Sequence, residues 1–267
     1  MKKNLIFTAI ILLIFAGCSK NNDIRIEGEI SNAQGKMLYF ELFGMNSTEI
    51  LDSVKLNSSG KFHFETKIPE SPEFYRIRID KRFIHLCADS AVVINIKANG
   101  EDFGKDYKVE GSRDCELIRQ LSVLQGQTLV QTDSVKKLYD QKNLTPEAYQ
   151  DSLFKIFSEH REKAKKVIYE DPRSPAAYFA LFQRFHNYLV FDPYDANDSK
   201  CYAAVATSWN TYYPDAVRSK HLVKLTLMGI KEIRKARDAK DIKITETDKI
   251  SIFEISLPDK DSKVINL

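Results

Sequence analysis

From Asp23 to Glu110 apolar residues recur every second position in short runs separated by turn residues. The runs Ile24–Ile30, Met37–Phe43, Ile50–Leu56, Lys61–Thr66, Phe74–Ile79, Phe83–Ala88, Val92–Ile96 and Tyr107–Glu110 each predict a strand. Asn32-Ala33-Gln34-Gly35 and Asn57-Ser58-Ser59-Gly60 supply turn chemistry between them. Strands this short and closely spaced favour an antiparallel sandwich or open barrel over a parallel α/β sheet. Around Gly60 the pattern predicts a hairpin, with Val54 and Leu56 opposed to Phe62 and Phe64 as one core layer.

Past Gly111 the period lengthens to three and four residues. A first helix is expected over Ser112 to Leu124. Thr145-Pro146 reads as an N-cap with proline at N1, and the stripe from Leu153 through His160 to Ile168 follows it. Ser174-Pro175 repeats the start signal before the stripe Tyr178, Leu181, Phe182, Phe185 and Leu189. Cys201, Val205, Trp209 and Tyr212 form a third face, ended by Pro214. Val223, Leu227 and Ile230 belong to a fourth helix, whose basic residues Lys231, Arg234, Lys235 and Arg237 suit a C-terminus. Polar residues 240–251 read as a linker, and the alternation of Phe253, Ile255 and Leu257 before Pro258-Asp259 predicts a β-hairpin over 252–267. The expected fold is therefore α+β: an N-terminal antiparallel β-sandwich over 23–111, a helical module over 112–239 and a short C-terminal hairpin.

The first residues are of another kind. Lys2 and Lys3 precede an apolar run from Leu5 to Ala16, ending in Phe15-Ala16-Gly17-Cys18. That run is shorter than the roughly 20 residues a membrane-spanning helix needs, and its plan is that of a secretory signal. The small-small-Cys ending resembles a bacterial lipobox, which implies cleavage after residue 17, lipidation of Cys18 and a tether over 18–22. Loss of residues 1–17 removes two lysines and no acid, so the formal charge falls from +3 to +1. Nothing in that balance asks for a nucleic-acid partner. A hydrophobic content of 43% argues for a packed core and against wholesale disorder.

Candidate chemistry is sparse. The chain has no phosphate-binding glycine loop, no dinucleotide fingerprint, no H-E-x-x-H and no G-x-S-x-G, and no cofactor or metal is expected. His85 and Cys87 share a strand face but lack a second ligand pair for zinc. Asp192, Asp195 and Asp198 do not have the spacing of a calcium loop and read as N-capping acids of a solvated interhelix loop. His160 and His186 read as packing residues, and the aromatic stripe after Tyr178 as core. Cys87, Cys115 and Cys201 are expected as buried free thiols; if two are joined, the spacing does not say which. No residue is assigned a catalytic role.

Together, Gly28, Asp52-Ser53-Val54, Gly60-Lys61-Phe62-x-Phe64 and Phe74-Tyr75-Arg76 resemble the N-terminal β domain of unknown function in Bacteroidetes thioredoxin-like lipoproteins, the AhpC/TSA and TlpA/ResA-type thiol-disulfide oxidoreductases. In that family a helical stretch and a thioredoxin domain follow, and Phe253 to Leu267 looks like the opening of the latter, with Ser262 where the family often has Gly. The family's activity rests on a W-C-x-x-C, and no cysteine here matches a motif position. The resemblance thus implies a non-catalytic exported lipoprotein ending before the redox domain. It would be anchored to the inner or outer membrane by its N-terminal lipid, face the periplasm or cell surface, and present a protein partner there. The alternative expectation is a stand-alone envelope module that binds peptide or glycan, with exposed aromatics such as Tyr212 and Tyr213 as contacts.

Overall fold

In a computed structural model of the chain, the described residues are 23–185, 188–250, 256–258 and 264–266, with side chains described as far as residue 239. Cys18, the leader and His186 lie outside them. All eight expected strands of the first part form: β1 (Asp23–Ser31), β2 (Met37–Phe43), β3 (Thr48–Lys55), β4 (Lys61–Lys67), β5 (Glu73–Ile79), β6 (Arg82–Ala88), β7 (Val92–Asn99) and β8 (Tyr107–Glu110). They build two four-stranded sheets, ordered β4-β1-β7-β8 and β3-β2-β5-β6. Inward residues such as Ile24, Ile26, Phe40, Phe64 and Ile77 are fully buried, and the Phe40 and Phe64 rings stack across the sandwich at 5.4 Å.

Two details differ from the alternation-based expectation. β1 and β7 run parallel, so the first sheet is mixed. The turn at Gly60 does not close a hairpin, because β3 pairs with β2 while β4 pairs with β1. The chain there crosses from one sheet to the other, and Leu56, Phe62 and Phe64 meet in the core from opposite layers. Alternation reports which side of a strand is buried but carries no record of its partner.

Among the described residues five helices follow: α1 (Arg113–Asp140), α2 (Pro146–Glu170), α3 (Pro175–Leu181), α4 (Ser199–Tyr212) and α5 (Val217–Ile250). Ser112, Thr145 and Ser174 cap the first three, each accepting from the backbone N–H three residues on. α1 runs well past Leu124. Its second half turns Thr128 and Thr132 inward, where their hydroxyls donate to Leu124 and Leu129 carbonyls, so it lacks the apolar stripe that would mark it. α3 is shorter than its stripe: at Gln183 the chain leaves the helix, and Arg184–Phe185 (β9) pairs with Tyr188–Leu189 (β10) as a small hairpin. α5 continues through residues 240–250, so Lys231, Arg234, Lys235 and Arg237 sit within the helix rather than at its end. Ser256–Pro258 (β11) pairs antiparallel with Val264–Asn266 (β12), as the terminal pattern predicts. Among the described residues, no helix is long and apolar enough to cross a membrane.

Candidate functional site

The sheet β3-β2-β5-β6 has two faces with different occupants. One closes the sandwich core. On the other, the alternation brings up Tyr39, Glu41 and Phe43 from β2, Arg78, Arg76 and Phe74 from β5, and Phe83, His85 and Cys87 from β6. The pairing of β2 with β3 shifts between Phe40 and Glu41, where Leu51 of β3 is left without a partner. The Glu41 carboxylate is buried and accepts from Nε of both Arg76 and Arg78, the latter at 2.7 Å. The Arg76 guanidinium lies over the rings of Phe43 and Phe83, at 5.4 and 5.2 Å from their centroids.

The helical module covers only one end of this face. Tyr178 of α3 packs its ring on Phe74, at 5.5 Å between centroids. Buried Arg218 of α5 donates to the Phe43 carbonyl at 2.7 Å and to Glu73 at 3.2 Å, and lies 4.8 Å above the Phe74 ring. Tyr213 donates to Asp89 at 3.3 Å. Tyr213 is thus a joint between the modules, whereas Tyr212 is exposed beneath Arg173, at 5.0 Å.

Where the helices draw away, a cleft of about 540 Å³ opens between the modules. Its sheet wall is Phe43, Met45, Phe83 and His85. The helical wall carries Gln125, Phe179, Phe182 and Gln183, with Arg184 and His221 also lining it. Such a concave, mainly apolar site with a few polar groups is the usual form of a binding pocket. His85 stands among the rings of Phe43, Phe83 and Phe179, at 5.3, 4.8 and 5.3 Å. Burial, reinforced by the Arg76 charge, pulls its pKa down to about 4, so the imidazole is neutral near neutral pH. Its Nδ1 is shut off from solvent and has no hydrogen-bond partner. Among the described lining residues there is no carboxylate and no thiol.

The other sequence candidates are placed elsewhere. His160 is buried in a polar chain: its Nδ1 meets Thr128 at 3.1 Å, its Nε2 meets Gln183 at 3.1 Å, and Gln183 in turn donates to the Leu121 carbonyl at 3.0 Å. Asp192 and Asp195 accept from backbone N–H groups of their own loop. Asp198 is not a side-chain cap, since its buried carboxylate pairs with Arg161 and accepts from the Asp192 N–H. No group of three or more His, Cys, Asp or Glu among the described residues is placed to hold a metal. Cys201 packs beside the Tyr169 hydroxyl at 3.2 Å, while Cys87 and Cys115 are brought together. Of the aromatic stripe, Phe185 and Phe191 are core, but buried Tyr178 lines the cleft together with Phe179 and Phe182, which the stripe alone did not reveal. The signal that was available was the outward row of β5 and β6, where aromatic and charged residues alternate with core residues.

Residues 24–117 match the family described as a domain of unknown function, DUF4369. No curated protein matches the chain. The match covers the sandwich and the first turn of α1, in agreement with the β-domain resemblance of the sequence.

Proposed function

We propose that this protein is a non-catalytic, lipid-anchored protein of the cell envelope, whose β and helical modules hold and present a protein partner. They would act as the accessory modules of a membrane-tethered thiol-disulfide oxidoreductase. The observation that carries the reading is the aromatic cleft between the two modules, joined across Arg218 and Tyr213 and carrying a neutral, unpartnered imidazole. The match over residues 24–117 supports the β module, and Lys2, Lys3, the apolar run and Cys18 support the anchor. A partner segment offering an apolar or aromatic side chain beside one hydrogen-bonding group fits the cleft.

The test is to express the full chain and its Cys18→Ser variant in a bacterial host, fractionate the cells, and assay the purified protein for insulin reduction. The wild type is expected in the membrane fraction with dithiol-dependent turnover at background. Release of the variant from that fraction completes the expected result. Robust turnover, or a wild type that stays in the cytoplasm, would overturn the reading. The aromatic walls also favour a second reading, a stand-alone module for peptide or glycan. A photo-crosslinking residue at Phe83 separates the two: a redox-protein adduct supports the first reading, and specific retention of a glycan supports the second.

A further inference from the structure

We infer that Cys87 and Cys115 are a disulfide-forming pair, a covalent staple between the β module and the helical module. The two residues are 28 positions apart and belong to different modules. Cys87 pairs with Phe74 one residue before the end of β6, the edge strand of its sheet. Cys115 lies in the first turn of α1, three residues after the cap Ser112, whose hydroxyl accepts its backbone N–H at 3.2 Å. The helix start sets the Cys115 sulfur against the open side of the edge strand. There it accepts the Cys87 N–H at 3.3 Å and faces the Cys87 carbonyl at 3.2 Å. Both side chains are buried. Cys201 lies apart, against Tyr169 on the other side of the helical module.

The two sulfurs differ in acidity. The neighbouring Cys87 side chain and the Cys87 N–H draw the Cys115 pKa below the ordinary thiol value, while the Cys115 sulfur and burial push Cys87 well above it. Cys115 is therefore the sulfur that ionises first, at a helix start where negative charge is favoured. A cavity of about 210 Å³, lined by Cys87, Asp89, Ser90, Ser112 and Asp114, reaches Cys87, and Cys115 is not part of its lining. A low-molecular-weight disulfide is the oxidant. The Cys87 sulfur, which lines the cavity, attacks one of its sulfurs, the reagent's S–S bond breaks, and one thiolate leaves and takes up the Cys87 proton. The Cys115 thiolate then attacks the Cys87 sulfur of the mixed disulfide, and the second thiolate leaves and takes up the proton that Cys115 released on ionising. The pair loses two electrons, and the reagent gains them as two thiols.

His85, on the sheet wall of the cleft, is two residues from Cys87, so the staple fixes that wall against α1. Its chemistry does not depend on the proposed function. Only its occurrence in the cell rests on the envelope reading, because disulfides persist in oxidising compartments.

The test takes the purified full chain, made in a reducing cytoplasm, and exposes the folded protein to oxidised glutathione. Peptide mapping without reductant is expected to find the Cys87 and Cys115 peptides joined, with the loss of two hydrogens and with Cys201 still alkylated after denaturation. The thermal midpoint is expected to rise by roughly 5–10 °C and to return with dithiothreitol. A Cys115→Ala variant is expected to show neither change. Free thiols at both positions after oxidation of the folded chain, or a bridge to another cysteine, would overturn the pair. A bridge that leaves the midpoint unmoved would overturn the staple.

Discussion

Gly28 shows how much one residue decides in this fold. It sits inside β1 with φ +155°, and a Cβ there would stand 1.8 Å from the Ile96 carbonyl oxygen of the parallel neighbour β7. Backbone atoms on a buried central strand have nowhere to retreat. Gly28→Ala is expected to destabilise the protein by about 3 kcal/mol or more. Urea unfolding checks this: the midpoint should fall sharply at unchanged slope, and a shift within about 0.5 kcal/mol of wild type would contradict it. Glu41 is the second such position. Its buried carboxylate is the shared acceptor for Arg76 and Arg78. Glu41→Gln keeps the shape and removes the charge, leaving two guanidinium groups close together beside the cleft. A loss of about 1–3 kcal/mol is expected, discounted because both arginines reach solvent. High salt should narrow the difference between the two proteins, since it screens the guanidinium repulsion.

At the scale of elements, helix starts were far more legible than helix ends. Thr145-Pro146 and Ser174-Pro175 carry their capping chemistry locally, and both caps form as read. The end of α3 is set instead by a distant group. Gln183 turns inward to serve the Leu121 carbonyl of α1 and His160 of α2, and its own carbonyl accepts the Val190 N–H. Those bonds stop the helix before the aromatic stripe does. Gln183→Leu is expected to cost about 1–3 kcal/mol by leaving His160 Nε2 without its partner and removing the side-chain donor to the Leu121 carbonyl, as read from chemical denaturation. A double variant with His160→Leu should lose less than the sum of the single losses, because it removes both sides of one bond. The long second half of α1 was hidden for a related reason: buried threonines bonded to their own helix pack like small apolar residues but do not read as such.

For the whole molecule, the joint between modules makes stability depend on pH. The unfolded chain's His85 takes up a proton near pH 6.5, whereas in the folded protein it does so only near pH 4. Between those values the unfolded state binds more protons, so stability falls as the pH drops from about 6.5 to about 4 and this contribution then levels off. Its full size is no more than about 3 kcal/mol, and the burial of His160 acts in the same direction. His85→Phe fills the aromatic surround without a titrating group. The difference in stability between about pH 7 and about pH 4.5 is therefore expected to shrink in the variant, and an unchanged difference would show that His85 is not the group involved.

The strands of the sandwich, the capped helix starts, the terminal hairpin pairing and the α+β class were determined by the sequence alone, because alternation, helical period and capping act over a few neighbouring residues. Only the tertiary structure decided that β1 and β7 run parallel, that the Gly60 turn crosses between sheets, and that Cys87 meets Cys115. It alone assembled Phe43, Phe83, His85 and Phe179 into one cleft. The physical reason is the same in each case. These features join groups far apart in the chain, and a residue's own pattern states that it will be buried without stating against what.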